Sequence, residues 1–360
     1  MRLDEEKNLN FKFFLRSLRS FAAILFIVLH FVVNSKMIAL PRRILLIKPS
    51  SMGDVIHALP VVAALHEAHS DAEIRWLIQP AWRDLVEGNP GVMQTISFPR
   101  ENFRGVTGLI RSLWWARTLR DWRPDLAIDL QGLLRSALIA RCSGAKKIIG
   151  LSNAREGASL FYDAVAQVDQ KGHAVNQLLS ILDVMSIPRP KSPKFFLPTG
   201  TLPVDFCVPQ PFVVLHPYAR GGGKDLTREQ VIAFVENLNS IPVVLVGKGR
   251  VMTGLPANVL DWSNRTTLLE LIAIFRQASF IVSSDSGPMH LAAALQPTKT
   301  LAIHRWSDPL RVGPWSEESW VWKHGVMKKR KELSEECRVS GATPTLEEMK
   351  MIAEKVIQLC

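Results

Sequence analysis

From residue 42 onward, short apolar runs alternate with longer segments in which apolar residues recur every three or four positions. The short runs are typical of buried strands, and the longer segments are typical of helices packed on a sheet. The predicted strands are 44–47, 74–78, 94–98, 125–130, 147–151, 212–216, 243–246, 280–282 and 300–304. The predicted helices are 55–69, 82–86, 109–122, 133–142, 227–238, 268–277 and 346–359. This alternation predicts an α/β protein built on parallel sheets with helices on both faces.

A proline-rich stretch divides the pattern. Seven prolines fall between residues 188 and 211, and proline at that density interrupts both helices and strand pairing. With 360 residues, 47% of them hydrophobic, the chain is long enough for two domains. We predict an N-terminal Rossmann-like domain over 37–190, a linker over 191–211, a C-terminal Rossmann-like domain over 212–342 and a C-terminal helix over 343–360.

Residues 1–36 differ from the rest of the chain. A basic and aromatic segment precedes an apolar run over 21–33 that only His30 interrupts. This run is shorter than the roughly 20 residues that a helix needs to span a bilayer. Three interpretations stay open: a membrane-surface anchor, a signal-like segment, or an extension upstream of a natural start at Met37.

Charge and cysteine content narrow the class of partner. The formal charge of +11 favours anionic partners, whether nucleic acid, lipid headgroups or phosphorylated substrates. Neither a zinc finger nor an RNA-binding aromatic motif occurs in the sequence, which argues against nucleic acid. The four cysteines show neither metal-ligand spacing nor close pairs, so we predict a reducing compartment and no disulfide framework.

Three loops that follow predicted strands carry chemically useful residues. In the first, over 48–57, Gly53 permits a tight turn and Asp54 begins the next helix. Asp54 could simply cap that helix, or it could act as a general base toward a hydroxyl group. In the second, over 216–224, Arg220 and Lys224 flank three glycines. This loop could bind a diphosphate, or it could be a solvated basic turn.

The third loop is a strand, turn and helix start over 281–295. Ser286 and Gly287 leave backbone N–H groups at the positive end of a helix, and Pro288 is tolerated in its first turn. This arrangement predicts an anion site, although an ordinary capped turn has the same pattern. His290 could face a cleft or be a buried structural histidine. The chain lacks both the G-x-G-x-x-G fingerprint and the P-loop, which argues against nicotinamide cofactors and NTPases.

The same stretches resemble a known family. Residues 43–59 and 284–295 resemble two signatures of the ADP-heptose:lipopolysaccharide heptosyltransferases, glycosyltransferase family 9. Residues 129–136 and 154–162 are similar to the heptosyltransferase I branch. The resemblance implies a GT-B fold, in which two Rossmann-like doubly wound domains face a central cleft. It also implies inverting, metal-independent transfer of a heptose, with the ADP-sugar as a substrate and without a cofactor.

The resemblance further implies the partners and the roles of individual residues. The acceptor would be a Kdo sugar on lipid A, reached by peripheral contact at the cytoplasmic face of the inner membrane. Asp54 matches the general base and Lys224 the lysine that steadies the departing diphosphate. The donor-binding residues would be Arg220, Asp285, Ser286, Gly287 and His290. The acceptor-binding residues would be Ser51, Gln131, Arg135 and Arg155, and the arginines between residues 100 and 123 suit acceptor carboxylates and phosphates.

Other functions stay open at this point. The loop over 247–250 lacks the acidic residue that often holds the donor ribose, so another nucleotide sugar or acceptor is possible. A sugar-nucleotide epimerase of the same fold would need no acceptor. A non-catalytic module that binds anionic glycolipid is a third alternative, although a binding module would not need a base at Asp54.

Overall fold

The computed structural model describes residues 41–360 except 99, 104, 220, 222–224, 340 and 342. The predicted extension over 1–36 therefore lies outside the described residues. Lys224 and Arg220, which we predicted to bind the donor, also lie outside them.

The first sheet has six parallel strands. They are β1 Arg43–Ile47, β2 Glu73–Ile78, β3 Gln94–Ser97, β4 Leu126–Asp129, β5 Lys147–Leu151 and β6 Ala164–Ala166. Their order is β3-β2-β1-β4-β5-β6, and β1 pairs with both β2 and β4, so that Ile47 is level with Asp129. The direction of strand succession reverses between β1 and β4. Ligands of open α/β sheets bind at the carboxyl ends of the strands beside such a reversal.

The second sheet has seven strands. They are β7 Val213–His216, β8 Val243–Leu245, β9 Val259–Asp261, β10 Phe280–Ser284, β11 Thr300–Ile303, β12 Trp320–Lys323 and β13 Val326–Lys329. Their order is β13-β12-β11-β10-β7-β8-β9, and all neighbours are parallel except the antiparallel pair β12–β13. The reversal here falls between β7 and β10. The prediction of two Rossmann-like doubly wound sheets is confirmed.

Ten α-helices connect these strands within the described part of the chain. They are α1 Met52–Ala68, α2 Gly105–Ala116, α3 Leu134–Cys142, α4 Ala174–Leu179, α5 Ile181–Val184, α6 Arg228–Glu236, α7 Leu268–Gln277, α8 Gly287–Leu295, α9 Pro309–Val312 and α10 Leu346–Leu359. The starts of α6 and α10 are fixed by Thr227 and Thr345, whose hydroxyls accept the backbone N–H of Gln230 and Glu348. Threonine is a favoured residue at this position because its hydroxyl satisfies an N–H group that lacks a partner within the helix.

Some predicted elements differ from the structure. The predicted helix over 82–86 is a 3-10 helix, Pro80–Leu85, and the predicted helix over 109–122 divides into α2 and a 3-10 helix, Arg117–Trp122. The Thr118 hydroxyl donates to the carbonyl of Trp115 at this division. Such a bond competes with regular helix geometry. Between α5 and β7 the described chain contains neither helix nor strand.

Buried apolar residues form three clusters, and the largest of them includes residues of both halves. The largest cluster extends from Ile44 and Leu46 of β1, through Val55 and Leu59 of α1, to Leu291 of α8. The final helix packs on α6 in the second half, and the buried residues on its inner face are Met349, Ile352, Ala353 and Val356. Among the described helices, none has the length and apolar character that a membrane span requires. All four cysteines are free, as predicted.

Candidate active site between the two sheets

The N-terminal ends of α1 and α8 meet between the two sheets. α1 follows β1, α8 follows β10, and each begins at the carboxyl end of its sheet. A Cβ atom on Gly53 would lie 2.5 Å from Cδ2 of His290, and one on Gly287 would lie 2.9 Å from Met52. The two glycines therefore allow this close crossing. Gly53 was predicted to permit a turn, but it lies inside α1, where its missing side chain makes room for His290.

Asp54 lies in the first turn of α1. Its Oδ2 accepts hydrogen bonds from the backbone N–H of Ser51 at 2.9 Å and from the Ser51 hydroxyl at 2.7 Å. Burial raises the pKa of Asp54, but the positive charge of Lys48 and the two bonds from Ser51 outweigh burial, so that the pKa lies below its ordinary value. The side chain is still half exposed. Asp54 thus caps the helix and also presents an ionised carboxylate toward the cleft.

Lys48 is a site residue that the sequence analysis missed. It is buried at the end of β1, where its Nζ donates to the carbonyl of Leu130 at 3.0 Å and lies 3.6 Å from Oδ1 of Asp54. A buried ammonium group needs such partners because an unpaired charge is costly to bury. The signal for Lys48 was present in the sequence, since it is a lysine directly after an apolar strand.

Two buried histidines, His57 and His173, and the partly buried His290 lie where α1 and α8 touch. Nε2 of His57 is 3.0 Å from Nδ1 of His290, and Nε2 of His173 is 3.1 Å from the carbonyl oxygen of Gly313. Burial lowers the pKa of His290 to about 4 and that of His173 to about 3. Both histidines are therefore neutral near pH 7. His290 is partly buried and hydrogen-bonded at the edge of the site, and both interpretations of it stay open.

Asp285 follows β10 and is held by residues that follow the neighbouring strand β11. The Ser307 hydroxyl donates to Oδ2 of Asp285 at 2.5 Å and is 2.8 Å from Nδ1 of His304. Because Ser307 donates its own proton to the carboxylate, it accepts the Nδ1 proton of His304. The sequence analysis missed Ser307 and His304, which are distant from Asp285 in the chain and adjacent to it only through the β10–β11 pairing.

The start of α8 can bind an anion. Ser286 has an extended backbone, and its hydroxyl donates to the carbonyl of Ser284 at 3.0 Å. This hydroxyl does not cap the helix within the described residues. Pro288 has no N–H group and that of Met289 donates to the carbonyl of Ser286, so the N–H groups that could reach a ligand are those of Ser286 and Gly287. The helix dipole places partial positive charge at this end, where a phosphate group is stabilised.

A cavity of about 340 Å³ opens at the carboxyl edge of the first sheet. Gln131 and Arg135, two of the predicted acceptor residues, line it together with Gln79, Arg100 and Glu156. Nε2 of Gln79 and Oε1 of Gln131 are buried, and neither has a hydrogen-bond partner among the described residues. Buried polar atoms usually have partners, so these two atoms point to a polar ligand. Gln79 was not predicted.

The shape of this cavity depends on buried Asp129. Its carboxylate accepts hydrogen bonds from the backbone N–H groups of Gln131 and Gly132 and from the hydroxyls of Ser136 and Tyr162. Burial raises the pKa of Asp129 in spite of these four bonds. The bonds fix the turn between β4 and α3, and this turn carries Gln131.

The remaining predicted residues divide into three groups. Ser51 lies beside Asp54 as its hydrogen-bond donor rather than among the residues that line the cavity. Arg155 is exposed and bonds through its backbone N–H to the carbonyl of Gly132, while its neighbour Glu156 lines the cavity. Arg220 and Lys224 cannot be compared because they lie outside the described residues. As for metals, the described part of the chain contains no group of three or more His, Cys, Asp or Glu side chains that could hold an ion.

Sequence comparison gives the family. The model of glycosyltransferase family 9 (heptosyltransferase) matches residues 111–221 and 247–342, which is more than half of the chain. The lipopolysaccharide core heptosyltransferase OpsX of Haemophilus influenzae is 24% identical over 299 residues, which cover 77% of this chain and 82% of the relative. Lipopolysaccharide heptosyltransferase 1 of Salmonella typhimurium is 26% identical over 297 residues, which cover 75% and 90%.

Solved structures of the same family share the fold. The E. coli heptosyltransferase WaaC with ADP superposes with a TM-score of 0.68 at 22% identity and covers 87% of this chain and 99% of its own. A family 9 glycosyltransferase from Veillonella parvula superposes with a TM-score of 0.71 at 17% identity and covers 88% and 95%. The fold is therefore GT-B, as predicted. The chain belongs to glycosyltransferase family 9 and is a heptosyltransferase.

Proposed function

We propose that this enzyme transfers a heptose from ADP-heptose to a Kdo sugar of the lipopolysaccharide inner core, with inversion and without a metal ion. The observation that carries the proposal is the position of Asp54. It is an ionised, half-exposed carboxylate at the point where the N-terminal ends of α1 and α8 meet. A base at this position is close to a site suited to a diphosphate, which is what an inverting sugar transfer requires.

In the reaction, the acceptor hydroxyl attacks the anomeric carbon of the heptose from the face opposite the diphosphate. The hydroxyl proton passes to Asp54 as the new carbon–oxygen bond forms. The bond between the anomeric carbon and the diphosphate oxygen breaks, and ADP leaves with the electron pair. Asp54 then releases its proton to solvent. A positioned base of this kind contributes about 10²–10⁴ to the rate.

On the donor side, Asp285 would hold hydroxyl groups of the heptose. The hydrogen bond from Ser307 fixes the carboxylate. The N–H groups at the start of α8, with Ser286 and Gly287, would bind the diphosphate. Lys224 and Arg220 would add positive charge to the leaving group, as the resemblance implies. This charge stabilises the departing diphosphate most strongly in the transition state.

On the acceptor side, the cavity at the edge of the first sheet suits an anionic sugar. Arg100 and Arg135 line it, and an arginine binds a carboxylate through two parallel hydrogen bonds. The unpaired amide atoms of Gln79 and Gln131 would bind hydroxyl groups. Arg155 would contact the acceptor from the rim. We accordingly assign the acceptor to residues 37–190 and the donor to 212–342, with 191–211 as the linker between them.

The names of the relatives support the donor and the lipopolysaccharide class of the acceptor. The Haemophilus influenzae and Salmonella typhimurium relatives are lipopolysaccharide heptosyltransferases, and WaaC was solved with ADP and with ADP-2-deoxy-2-fluoro heptose. An acceptor of this kind is attached to lipid A, so the enzyme would work in the cytoplasm at the inner face of the inner membrane.

The direct test is transfer from ADP-heptose to Kdo-lipid A, measured by the mass of the product. We expect a gain of one heptose with the intact chain, and loss of that product with Asp54→Ala. A folded protein that binds ADP but yields no product would reject the Kdo acceptor. A protein that does not bind ADP would reject the donor instead, and would favour another nucleotide sugar, as the absence of a carboxylate from the loop over 247–250 would allow.

A further inference from the structure

The outer face of α2 combines exposed apolar side chains with arginines. Ile110 is 53% exposed and Trp114 is 66% exposed, and the two lie one helical turn apart on the same side. Arg117 follows on that side, with its guanidinium carbon 4.6 Å from the centroid of the Trp114 ring. Exposed Arg111 lies beside Ile110. We refer to Ile110, Arg111, Trp114 and Arg117 as the α2 outer face.

This face differs from the other exposed apolar residues of the described chain. Val204, Val251, Val326 and Val339 are scattered singly, as surface apolar residues usually are. The segment over 100–123 that contains α2 has six arginines and two acidic residues, a net charge of +4. Of the five arginines in this segment that the structure describes, Arg100 alone lines the acceptor cavity. Arg111 of α2 and Arg117 directly after it could therefore bind an anion other than the sugar in the cavity.

The inner face of α2 connects this surface to the acceptor cavity. Trp115 points inward, where its ring lies 5.7 Å from that of Phe98. Phe98 in turn lines the cavity. A helix with its side chains is about 10 Å across, so the outer face and the cavity are separated by little more than the thickness of α2.

We propose that the α2 outer face docks on an anionic phospholipid bilayer and thereby holds the acceptor cavity at the membrane surface. Tryptophan is favoured at the membrane–water interface because its ring is apolar and its N–H is polar. Arginines beside it are attracted to lipid phosphates, and their aliphatic stems lie along apolar surface. The inference rests on the proposed function, in which the acceptor sugar is attached to a lipid.

The lipid contact is tested by photo-crosslinking of the intact chain, which reports on one position at a time. Photoreactive p-benzoyl-phenylalanine replaces Trp114 in one variant and Met351 in the other. Met351 is a matched control because it is a 45% exposed apolar residue on another helix, α10. Vesicles of phosphatidylglycerol and phosphatidylethanolamine are compared with vesicles of phosphatidylcholine.

We expect position 114 to crosslink to lipid in the anionic vesicles at least about tenfold more than position 351, and to lose most of that labelling in phosphatidylcholine or at high salt. Equal labelling from the two positions would overturn the proposal. Crosslinking from position 114 to a second protein chain instead of lipid would also overturn it, because the face would then be a protein interface.

A kinetic experiment separates docking from catalysis. In the double variant Ile110→Ala/Trp114→Ala we expect transfer to vesicle-held Kdo-lipid A to fall about tenfold, because two apolar contacts with the bilayer are lost. Transfer to a water-soluble Kdo acceptor should be unchanged, and the control pair Leu346→Ala/Met351→Ala should leave both rates unchanged. Equal losses on both acceptors, or no loss on vesicles, would contradict the proposal. If the unaltered enzyme uses neither acceptor, the proposed function fails while the crosslinking still decides the surface.

Discussion

The two carboxylates of the site, Asp54 and Asp285, each follow one of the two strands at the reversal of a sheet, but they are held in different ways. Each lies close to the start of the next helix. Asp54 takes its hydrogen bonds from Ser51, three residues away in the same turn. Asp285 takes its bond from Ser307, which lies 22 residues further along the chain.

The position of Asp54 is therefore set by residues of its own turn, whereas the position of Asp285 depends on the pairing of two strands. The turn over 48–54 positions Asp54 and sets its charge with its own residues, Lys48 and Ser51. The position of Asp285 depends on β11 being paired with β10, since that pairing brings Ser307 and His304 beside it. We therefore expect changes near Asp54 to alter chemistry, and changes near Asp285 to alter donor binding.

The largest effect should come from Asp54 itself. Asp54→Asn keeps the size of the side chain but removes the base, so we expect kcat to fall by about 10²–10⁴. ADP binding, measured by calorimetry, should stay the same because we propose that the donor binds to the other half of the molecule. Asp71→Asn, at an exposed aspartate beyond α1, is the control and should be active. Loss of ADP binding together with activity would mean that Asp54 is a donor residue, and the comparison would fail.

The next effect in size concerns Ser307. Ser307→Ala removes a hydrogen bond to a charged group, and such bonds contribute about 1.5–3 kcal/mol. We expect the KM for ADP-heptose to rise about 10–100-fold with a smaller change in kcat. Ser307→Thr keeps the hydroxyl and should recover most of the affinity. A drop in kcat at unchanged KM, or failure of the threonine variant, would show that Ser307 does not act through the position of Asp285.

The features that could be predicted from the sequence are those set by residues that lie close together in the chain. α10 was predicted with its true bounds because Thr345 and Glu348 form a capping box within four residues. Asp54 was identified as a candidate base for a similar reason, since it heads a helix directly after a strand. The parallel direction of most strands follows from their alternation with helices, because parallel neighbours require a crossover of this kind.

The features that the sequence did not predict depend on contacts between distant segments. β6, α4 and α5 each have six residues or fewer, which is too short for a periodic pattern to develop. No residue close to Ser307 in the chain indicates its role, because that role is to hold Asp285, which follows the neighbouring strand β10. The arginines between residues 100 and 123 were expected to bind the acceptor. Which of them face the cavity depends on how α2 is rotated on the sheet. That rotation is set by Trp115 and Ala116 on its inner face.

A smaller effect should follow from Lys48. Its positive charge lowers the pKa of Asp54 against the opposing effect of burial, so Lys48→Met should raise that pKa. The base is active only when ionised, and its activity is lost as the pH falls through its pKa. We therefore expect the acidic limb of the kcat–pH profile to move to higher pH, with little change at alkaline pH. Lys146→Met removes a lysine paired with Asp125 at the surface and should leave the profile unchanged. An identical profile in both variants would show that the turn does not set the charge of Asp54.

The smallest effect should come from a chelator. Divalent cations bind where several carboxylates converge, whereas each carboxylate here is engaged by hydrogen-bond donors: Asp54 by Ser51 and Asp285 by Ser307. The role that Mg²⁺ often has, to neutralise a leaving diphosphate, would be taken by Lys224, Arg220 and the start of α8. We expect EDTA to leave the rate of transfer unchanged over the full range of donor concentration. If EDTA abolished activity and added Mg²⁺ restored it, a cation would have to bind between the two carboxylates. The leaving diphosphate would then be neutralised by the metal rather than by the protein.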